Sequence, residues 1–197
     1  FVSGRPLPLT DVIIHPKDGH MYFMVGGRRT QSALYRVTYT GKESTALAPA
    51  PAVTPEAKLR KKLELLHQTK ANATDTMMGA KYLGHPDRHV RYAARVAVER
   101  SKTSSWMKPS LSGSEPWAVI EGAVAIARVG EAKHQSAILS ALGKLDLKSL
   151  SQDQLLGWLR AHSLAFTRLG APKDPAAIVA RLAPLFPYVD NTVSLLY

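Results

Sequence analysis

The chain has 197 residues, which is enough for one or two domains with buried cores. Apolar residues make up 45% of the chain and charged residues 21%, a composition that excludes an intrinsically disordered protein. No run approaches about 18 consecutive apolar residues, so the sequence predicts no transmembrane helix. The absence of cysteine excludes disulfides, thiolate metal sites, a cysteine nucleophile and covalently attached c-type haem within this sequence.

The net charge of +11 is concentrated in one stretch of the chain. Residues 54–110 contain 12 Lys and Arg against 5 Asp and Glu, a net charge of +7, whereas residues 1–53 carry +3 and residues 111–197 carry +1. A basic stretch of this kind can attract phosphates or other anionic partners. The interpretation that we favour is a solvated helix face together with contacts to acidic parts of a larger protein.

The first 40 residues show the pattern of three short strands. Asp18-Gly19 is a strong hairpin signal, and the stretch Gly26–Ser32 contains two flexible glycines typical of a loop. Alternating side chains follow this loop up to Tyr39. Residues 1–40 therefore predict a three-stranded antiparallel β meander, with strands at 11–15, 21–25 and 34–39.

A Pro/Ala-rich segment at 41–53 is predicted to be an extended linker, and helical patterns follow it. Thr54, Asp87 and Asp174 are expected to cap helices, and Gly84, Gly130 and Gly170 to end them. Residues 54–197 are thus predicted to form one α-helical domain. Its helices are expected at 54–70, 74–83, 88–100, 118–129, 132–145, 151–169 and 174–182, with a short segment around Trp106 and a further helix beginning in 188–197.

The best-defined helical unit spans residues 83–99. Asp87 can cap the helix, Arg91 can reach an acidic or carbonyl partner on the adjacent turn, and the small residues Ala93, Ala94 and Ala97 allow a neighbouring helix to approach closely. This unit resembles a HEAT-type repeat, although the period is irregular. The predicted fold is therefore mainly α: a HEAT-like α-α superhelix preceded by the β meander.

Three motifs carry a resemblance to a known family. They are Gly4-Arg-Pro-Leu-Pro-Leu-Thr-Asp11, Gly26-Gly-Arg-Arg-Thr-Gln-Ser-Ala-Leu-Tyr-Arg-Val37 and Tyr82-Leu-Gly-His-Pro-Asp-Arg-His-Val-Arg-Tyr-Ala-Ala-Arg95. In this order the chain resembles the large bacterial proteins described as membrane-bound or sorbosone/glucose dehydrogenase-like, which are common in planctomycetes. In that family a quinoprotein-like β-propeller is followed by HEAT-like helices and usually by a c-type cytochrome domain.

The resemblance implies that the meander is the last blade of a β-propeller and that the parent protein oxidises a sugar or an alcohol. Pyrroloquinoline quinone (PQQ), calcium and haem c would be cofactors of the full-length protein, and none of them is expected in this segment. The implied partners are the remaining blades and a cytochrome c domain of the same chain, and the implied location is the periplasm or cell envelope. One blade, no Cys-x-x-Cys-His and no initiator Met lead us to expect an internal fragment.

The same resemblance implies a ligand-facing edge in the β meander. In a propeller the loop entering the inner strand and the loop between the second and third strands lie on one face, where ligands usually bind. Asp11, Arg28 and Arg29 would then face a substrate or the carboxylates of a quinone cofactor. The alternatives are that Asp11 caps the start of a strand, that one arginine braces the neighbouring blade and that the other is solvated.

No metal site is predicted. His85 and His89 are four residues apart, but Pro86 disfavours helical geometry at His85. Five aromatic residues fall at helix positions suited to packing, and we expect them to be core or interface anchors: Trp106, Trp117, Trp158, Phe166 and Tyr92.

The leading functional interpretation is a non-catalytic scaffold segment of the dehydrogenase-like parent. The alternative is a HEAT-like binding module for nucleic acid or protein, or a plain protein–protein scaffold without an attached enzyme. For the binding module, a basic face would consist of Lys58, Lys61, Lys62, Arg88, Arg91 and Arg95. Because the cations from Lys58 to Lys62, with Arg60 among them, surround most of a helix turn, one flat nucleic-acid surface is not expected.

Overall fold

The computed structural model describes residues 8–27, 29–46, 49–68 and 72–186. The chain divides into two compact units, Phe1–Pro51 and Ala52–Tyr197, and the division falls inside the segment predicted as a linker. Within the described residues the first unit contains a three-stranded antiparallel sheet and the second contains eight α-helices. The fold is therefore mainly helical, as predicted. The helix expected at 188–197 lies outside the described residues.

The sheet has the order β1-β2-β3, with β1 at Leu9–Ile14, β2 at Met21–Gly27 and β3 at Thr30–Val37. The first turn is a hairpin as expected, with Gly19 at a φ of 70°. The predicted loop at 26–32 is wrong, because pairing continues to Gly27 and Thr30 and leaves a two-residue connection. Arg29 in this connection has a φ of 61°, the left-handed region that tight hairpins require. The third strand ends at Val37 rather than Tyr39.

The helices follow the predicted order. They are α1 Pro55–Leu65, α2 Ala73–Lys81, α3 Arg88–Glu99, α4 Thr103–Leu111, α5 Pro116–Val129, α6 Gln135–Gly143, α7 Gln152–Leu169 and α8 Pro175–Leu182, with single 3-10 turns at Ala132–His134 and Ala183–Leu185. The predicted caps are confirmed: the side chains of Thr54, Asp87 and Asp174 accept hydrogen bonds from backbone N–H groups of the first turns of α1, α3 and α8.

The helices pack in two rows. Helices α1, α3, α5 and α7 contact one another in succession, and α2, α4 and α6 lie beside them as a second row. The core between the rows contains Trp106, Trp158, Ile120 and Leu142, all fully buried. Gly122 lets α5 approach α4 closely, since a Cβ there would lie 2.9 Å from the Ser110 Cβ. This row arrangement brings α3 beside α5, and it is between these two helices that most of the buried charge lies.

Candidate functional site

Two of the predicted ligand-facing residues, Asp11 and Arg29, lie toward one end of the sheet. The start of β1 and the β2–β3 turn are adjacent there, because the Gly26 N–H donates to the Pro8 carbonyl at 3.0 Å. Arg29 is exposed in that turn. Asp11 lies inside β1, where its carboxylate accepts a hydrogen bond from the Val12 N–H at 2.8 Å. Because β1 begins at Leu9, this local bond lies within the strand and not at its start. Arg28 lies outside the described residues.

The main concentration of buried charge lies between α3 and α5. Arg91, on the first turn of α3, donates from Nη1 to the carbonyls of His85 and Pro86, at 2.8 Å each. Its guanidinium carbon lies 3.8 Å from the centre of the Trp117 ring. The expectation that Arg91 reaches a carbonyl or acidic partner is therefore confirmed. Arg91 thus links the turn between α2 and α3 to α3 by hydrogen bonds, and it packs against the first turn of α5.

The charges continue along the two helices as an alternating series. The carboxylate of Glu121 on α5 lies 3.9 Å from the Arg91 Nε and 3.1 Å from the Arg95 Nε. The Arg95 Nη1 lies 3.7 Å from the Glu99 Oε1, to which the Arg128 Nε donates at 2.8 Å. We call these five residues (Arg91, Glu121, Arg95, Glu99 and Arg128) the Arg–Glu ladder. Each carboxylate in the ladder lies between two arginines, and each helix contributes both charges.

Burial shifts the pKa of two residues of the ladder, Glu121 and Arg91. Desolvation raises the pKa of Glu121, against the opposing attraction of Arg95 and Arg91. Desolvation likewise lowers the pKa of Arg91, against the attraction of Glu121. In both groups the loss of water outweighs the attraction of the partner. Because a buried ion pair adds little net stability, we infer that the ladder serves instead to fix how α3 and α5 align.

The predicted basic face is not continuous. Arg88 and the three lysines of α1 are exposed, but Arg91 and Arg95 are only 6% and 8% exposed and lie against carboxylates. These two arginines belong to the ladder and cannot contact a phosphate in this conformation. Their inclusion in an exposed basic face is wrong, because the small residues that make α3 pack tightly also bury its arginines. The surface lysines Lys58, Lys61 and Lys62 remain together on α1.

The aromatic residues divide into three groups. Trp106 and Trp158 are fully buried, as expected. Trp117 and Phe166 are partly buried, and each contacts a helix side chain: Trp117 the Arg91 guanidinium, and Phe166 the His162 ring at 6.0 Å between centres. Tyr92 is 59% exposed, so its assignment as an anchor is wrong. It follows Arg91 on α3 and lies on the opposite side from the buried stripe of Val90, Ala93, Ala94 and Ala97.

One buried histidine, His162, was not predicted from the sequence. His162 on α7 lies with its ring centre 4.1 Å from that of Trp158, and its Nδ1 is 3.0 Å from the Trp158 carbonyl oxygen. Burial lowers the pKa of His162, against the opposing effect of its hydrogen bond to the Trp158 carbonyl, and the Arg181 charge lowers it as well. His162 is therefore a neutral packing residue at neutral pH. A single histidine on an apolar helix face gives no signal in sequence that separates this role from a ligand.

The described ranges contain no group of three or more His, Asp and Glu side chains placed to hold a metal ion. Within the same ranges, no helix is long and apolar enough to cross a bilayer. No protein-family model, curated protein or solved structure matches the chain. Over the described ranges the chain is mainly helical, with eight α-helices preceded by a three-stranded antiparallel sheet, and the arginines buried on α3 are paired with a carboxylate on α5.

Proposed function

We propose that this chain is a scaffold segment of a dehydrogenase-like bacterial protein, with the sheet as the last blade of a β-propeller and the helical unit as a HEAT-like superhelix. In this proposal the segment positions the catalytic parts and does not itself catalyse. PQQ, calcium and haem c would be bound by other parts of the parent, in the periplasm or cell envelope.

The observation that carries the proposal is the uncovered apolar surface of the sheet. All six residues of β1 are exposed, including Leu9 at 56%, Val12 at 52%, Ile13 at 58% and Ile14 at 56%. Neighbouring residues of a strand point to opposite faces, so Val12 and Ile13 leave both faces of β1 apolar and open to solvent. Strands that are apolar on both faces are normal where a sheet is covered on both sides, as between stacked blades.

The packing of the helical unit also supports the scaffold role. Its core is continuous from Leu63 to Leu169. The charged side chains that it buries, in the Arg–Glu ladder, face one another across α3 and α5 rather than an open cleft. Paired charges of this kind align helices, which is what a rigid connector between larger parts needs.

Catalysis is tested by dye reduction. The 197-residue chain, incubated with PQQ and calcium, is given glucose, sorbosone or simple alcohols together with an artificial electron acceptor. We expect no reduction above the rate of cofactor alone. Substrate-dependent reduction by this chain would overturn the scaffold role.

The blade assignment is tested with one substitution in two contexts. Ile13→Thr should change stability by less than about 0.5 kcal/mol in the 197-residue chain, because the side chain is already in water. In a longer version of the protein that includes further blades, the same substitution should cost about 1–2 kcal/mol, because it then removes a buried apolar contact. An equally small effect in both contexts would rule out a covered β1.

A further inference from the structure

The outer face of α1 combines three cations with one apolar side chain. Lys58, Lys61, Lys62 and Leu65 follow the spacing i, i+3, i+4, i+7, which places them on one side of the helix. We call these four residues the α1 face. Together with Glu64 and Gln68 they line a shallow depression. The opposite side of α1 is anchored in the core by the fully buried Leu63, so the α1 face cannot turn inward.

The cations of the α1 face have no carboxylate partner among the described residues. The nearest acidic residue on the helix, Glu64, is engaged with Arg60, whose Nε lies 3.2 Å from the Glu64 Oε1. Leu65 is 62% exposed, the second largest exposure among the large apolar side chains of the described residues. Three ammonium groups without a carboxylate partner among the described residues lie beside an exposed leucine. Such a surface favours a ligand that carries both negative charge and apolar side chains.

We propose that the α1 face binds an acidic amphipathic segment of another protein, with carboxylates of that segment on the lysines and one of its apolar side chains on Leu65. Charge complementarity favours an acidic partner. A second copy of this chain is disfavoured, because each copy carries a net charge of +11. Helix-in-groove recognition supplies the alternating carboxylate and apolar contacts that this surface needs.

Nucleic acid fits the α1 face less well. A phosphate backbone gains nothing from an exposed leucine, and the arginines that could extend the cationic surface, Arg91 and Arg95, are buried in the Arg–Glu ladder. Three phosphate contacts alone would give weak binding, with affinity for duplex DNA falling with roughly the 2.7th power of salt concentration. The proposal goes beyond the scaffold role and does not depend on the dehydrogenase-like parent, because it needs only residues of α1.

The test is a fluorescence-anisotropy titration of the full 197-residue chain. The probe is a labelled helical peptide of about four turns that carries Glu and Leu at i, i+3, i+4 spacing, and a labelled duplex DNA of arbitrary sequence is the second probe. The variant Lys58→Gln/Lys61→Gln/Lys62→Gln removes the cations, and Leu65→Ser removes the apolar contact. The matched control, Lys144→Gln/Lys148→Gln/Lys173→Gln, removes three charges from exposed positions elsewhere in the helical unit.

We expect the peptide to bind the wild-type chain at low salt, with about tenfold weaker binding for the α1 triple variant and about threefold weaker binding for Leu65→Ser. The control triple variant should change affinity by less than about twofold. Circular dichroism of each variant verifies that the helices are intact. Glutamine retains the helix-forming tendency of lysine, so folding of the triple variant is expected.

Three results would overturn the proposal. One is no peptide binding to the wild-type chain at low salt. The second is an equal loss of affinity in the control triple variant, which would show attraction to the overall charge rather than to the α1 face. The third is tighter binding of DNA than of peptide with no effect of Leu65→Ser, which would make the surface a phosphate site. None of these outcomes bears on dye reduction or on Ile13→Thr, so failure here is separable from failure of the scaffold role.

Discussion

Two buried tryptophans with different hydrogen bonding provide a sharp test of the helical core. Trp106 on α4 and Trp158 on α7 are both fully buried. The Trp158 Nε1 donates to the Leu142 carbonyl at 3.0 Å, whereas the buried Trp106 Nε1 has no hydrogen-bond partner among the residues that the structure describes. Replacing each with phenylalanine removes the same atoms from the two sites. The difference between the two variants therefore reports the hydrogen bond together with the contact of the Trp158 ring with the His162 ring.

The expected difference in the free energy of unfolding between the two variants follows from the contributions that the two sites share and those that they do not. The lost volume costs about 1–3 kcal/mol at either site and largely cancels in the comparison. Trp158→Phe also loses a hydrogen bond worth about 1 kcal/mol, although the Leu142 carbonyl keeps a second donor in the Arg181 Nη1 at 3.3 Å. Trp106→Phe removes an unpaired buried donor, which relieves a penalty of about 1–3 kcal/mol. We expect Trp158→Phe to be less stable than Trp106→Phe by at least about 2 kcal/mol.

The assay is urea unfolding followed by circular dichroism at 222 nm and by tryptophan fluorescence. All three tryptophans lie in the helical unit, so the fluorescence signal reports that unit alone. A difference of about 2 kcal/mol should separate the midpoints by about 1 M urea. Equal midpoints, or a lower midpoint for Trp106→Phe, would refute the hydrogen-bonding difference between the two sites.

Three further predictions concern the ladder and the helix ends. Burial raises the pKa of Glu121 in the folded state, so the unfolded chain loses this proton at a lower pH than the folded chain. The free energy of unfolding should therefore fall as the pH rises from the ordinary pKa of 4.5 through the raised pKa, and urea titrations over that range should show a smaller fall for Glu121→Gln. Gly170 has a φ of 99° and a ψ of −177°, so Gly170→Ala should lower the free energy of unfolding by about 1–3 kcal/mol in thermal or urea melts. The Ser151 hydroxyl accepts from the Gln154 N–H at 3.2 Å, and Ser151→Ala should cost about 1 kcal/mol in the same melts, with a neutral effect contradicting the cap.

The sequence predicts the secondary structure best where a single residue determines where a helix or strand begins or ends. Asp87 at the start of α3 and Gly19 in the first hairpin act through bonds or backbone angles within a few residues, so the pattern contains them. Only a short segment around Trp106 was expected, whereas α4 spans Thr103–Leu111 and includes Pro109, which removes one backbone donor from the helix. Its burial of Trp106 compensates through packing that a sequence window does not show.

The Arg–Glu ladder could be predicted only in part. Arg91 bonds to carbonyls five and six residues before it, and the sequence indicated such a partner. Glu121 and Arg128 meet α3 from about 30 residues away, and that pairing depends on α5 lying beside α3. The formal charge of 54–110 gave no sign that two of its arginines are buried. The sequence shows how many cations a segment contains, whereas the packing of the helices determines which of them are exposed to solvent.

The helical unit has a core of its own, and we propose that the sheet is covered by further β structure. Hydrogen exchange of the 197-residue chain, followed by mass spectrometry, tests this claim most directly. We predict strong protection of the amides of α3, α5 and α7 and weak protection of the amides of β1 and β3. Protection of the β1 amides equal to that of α5 would contradict the claim, because it would show that the sheet is stable as it stands.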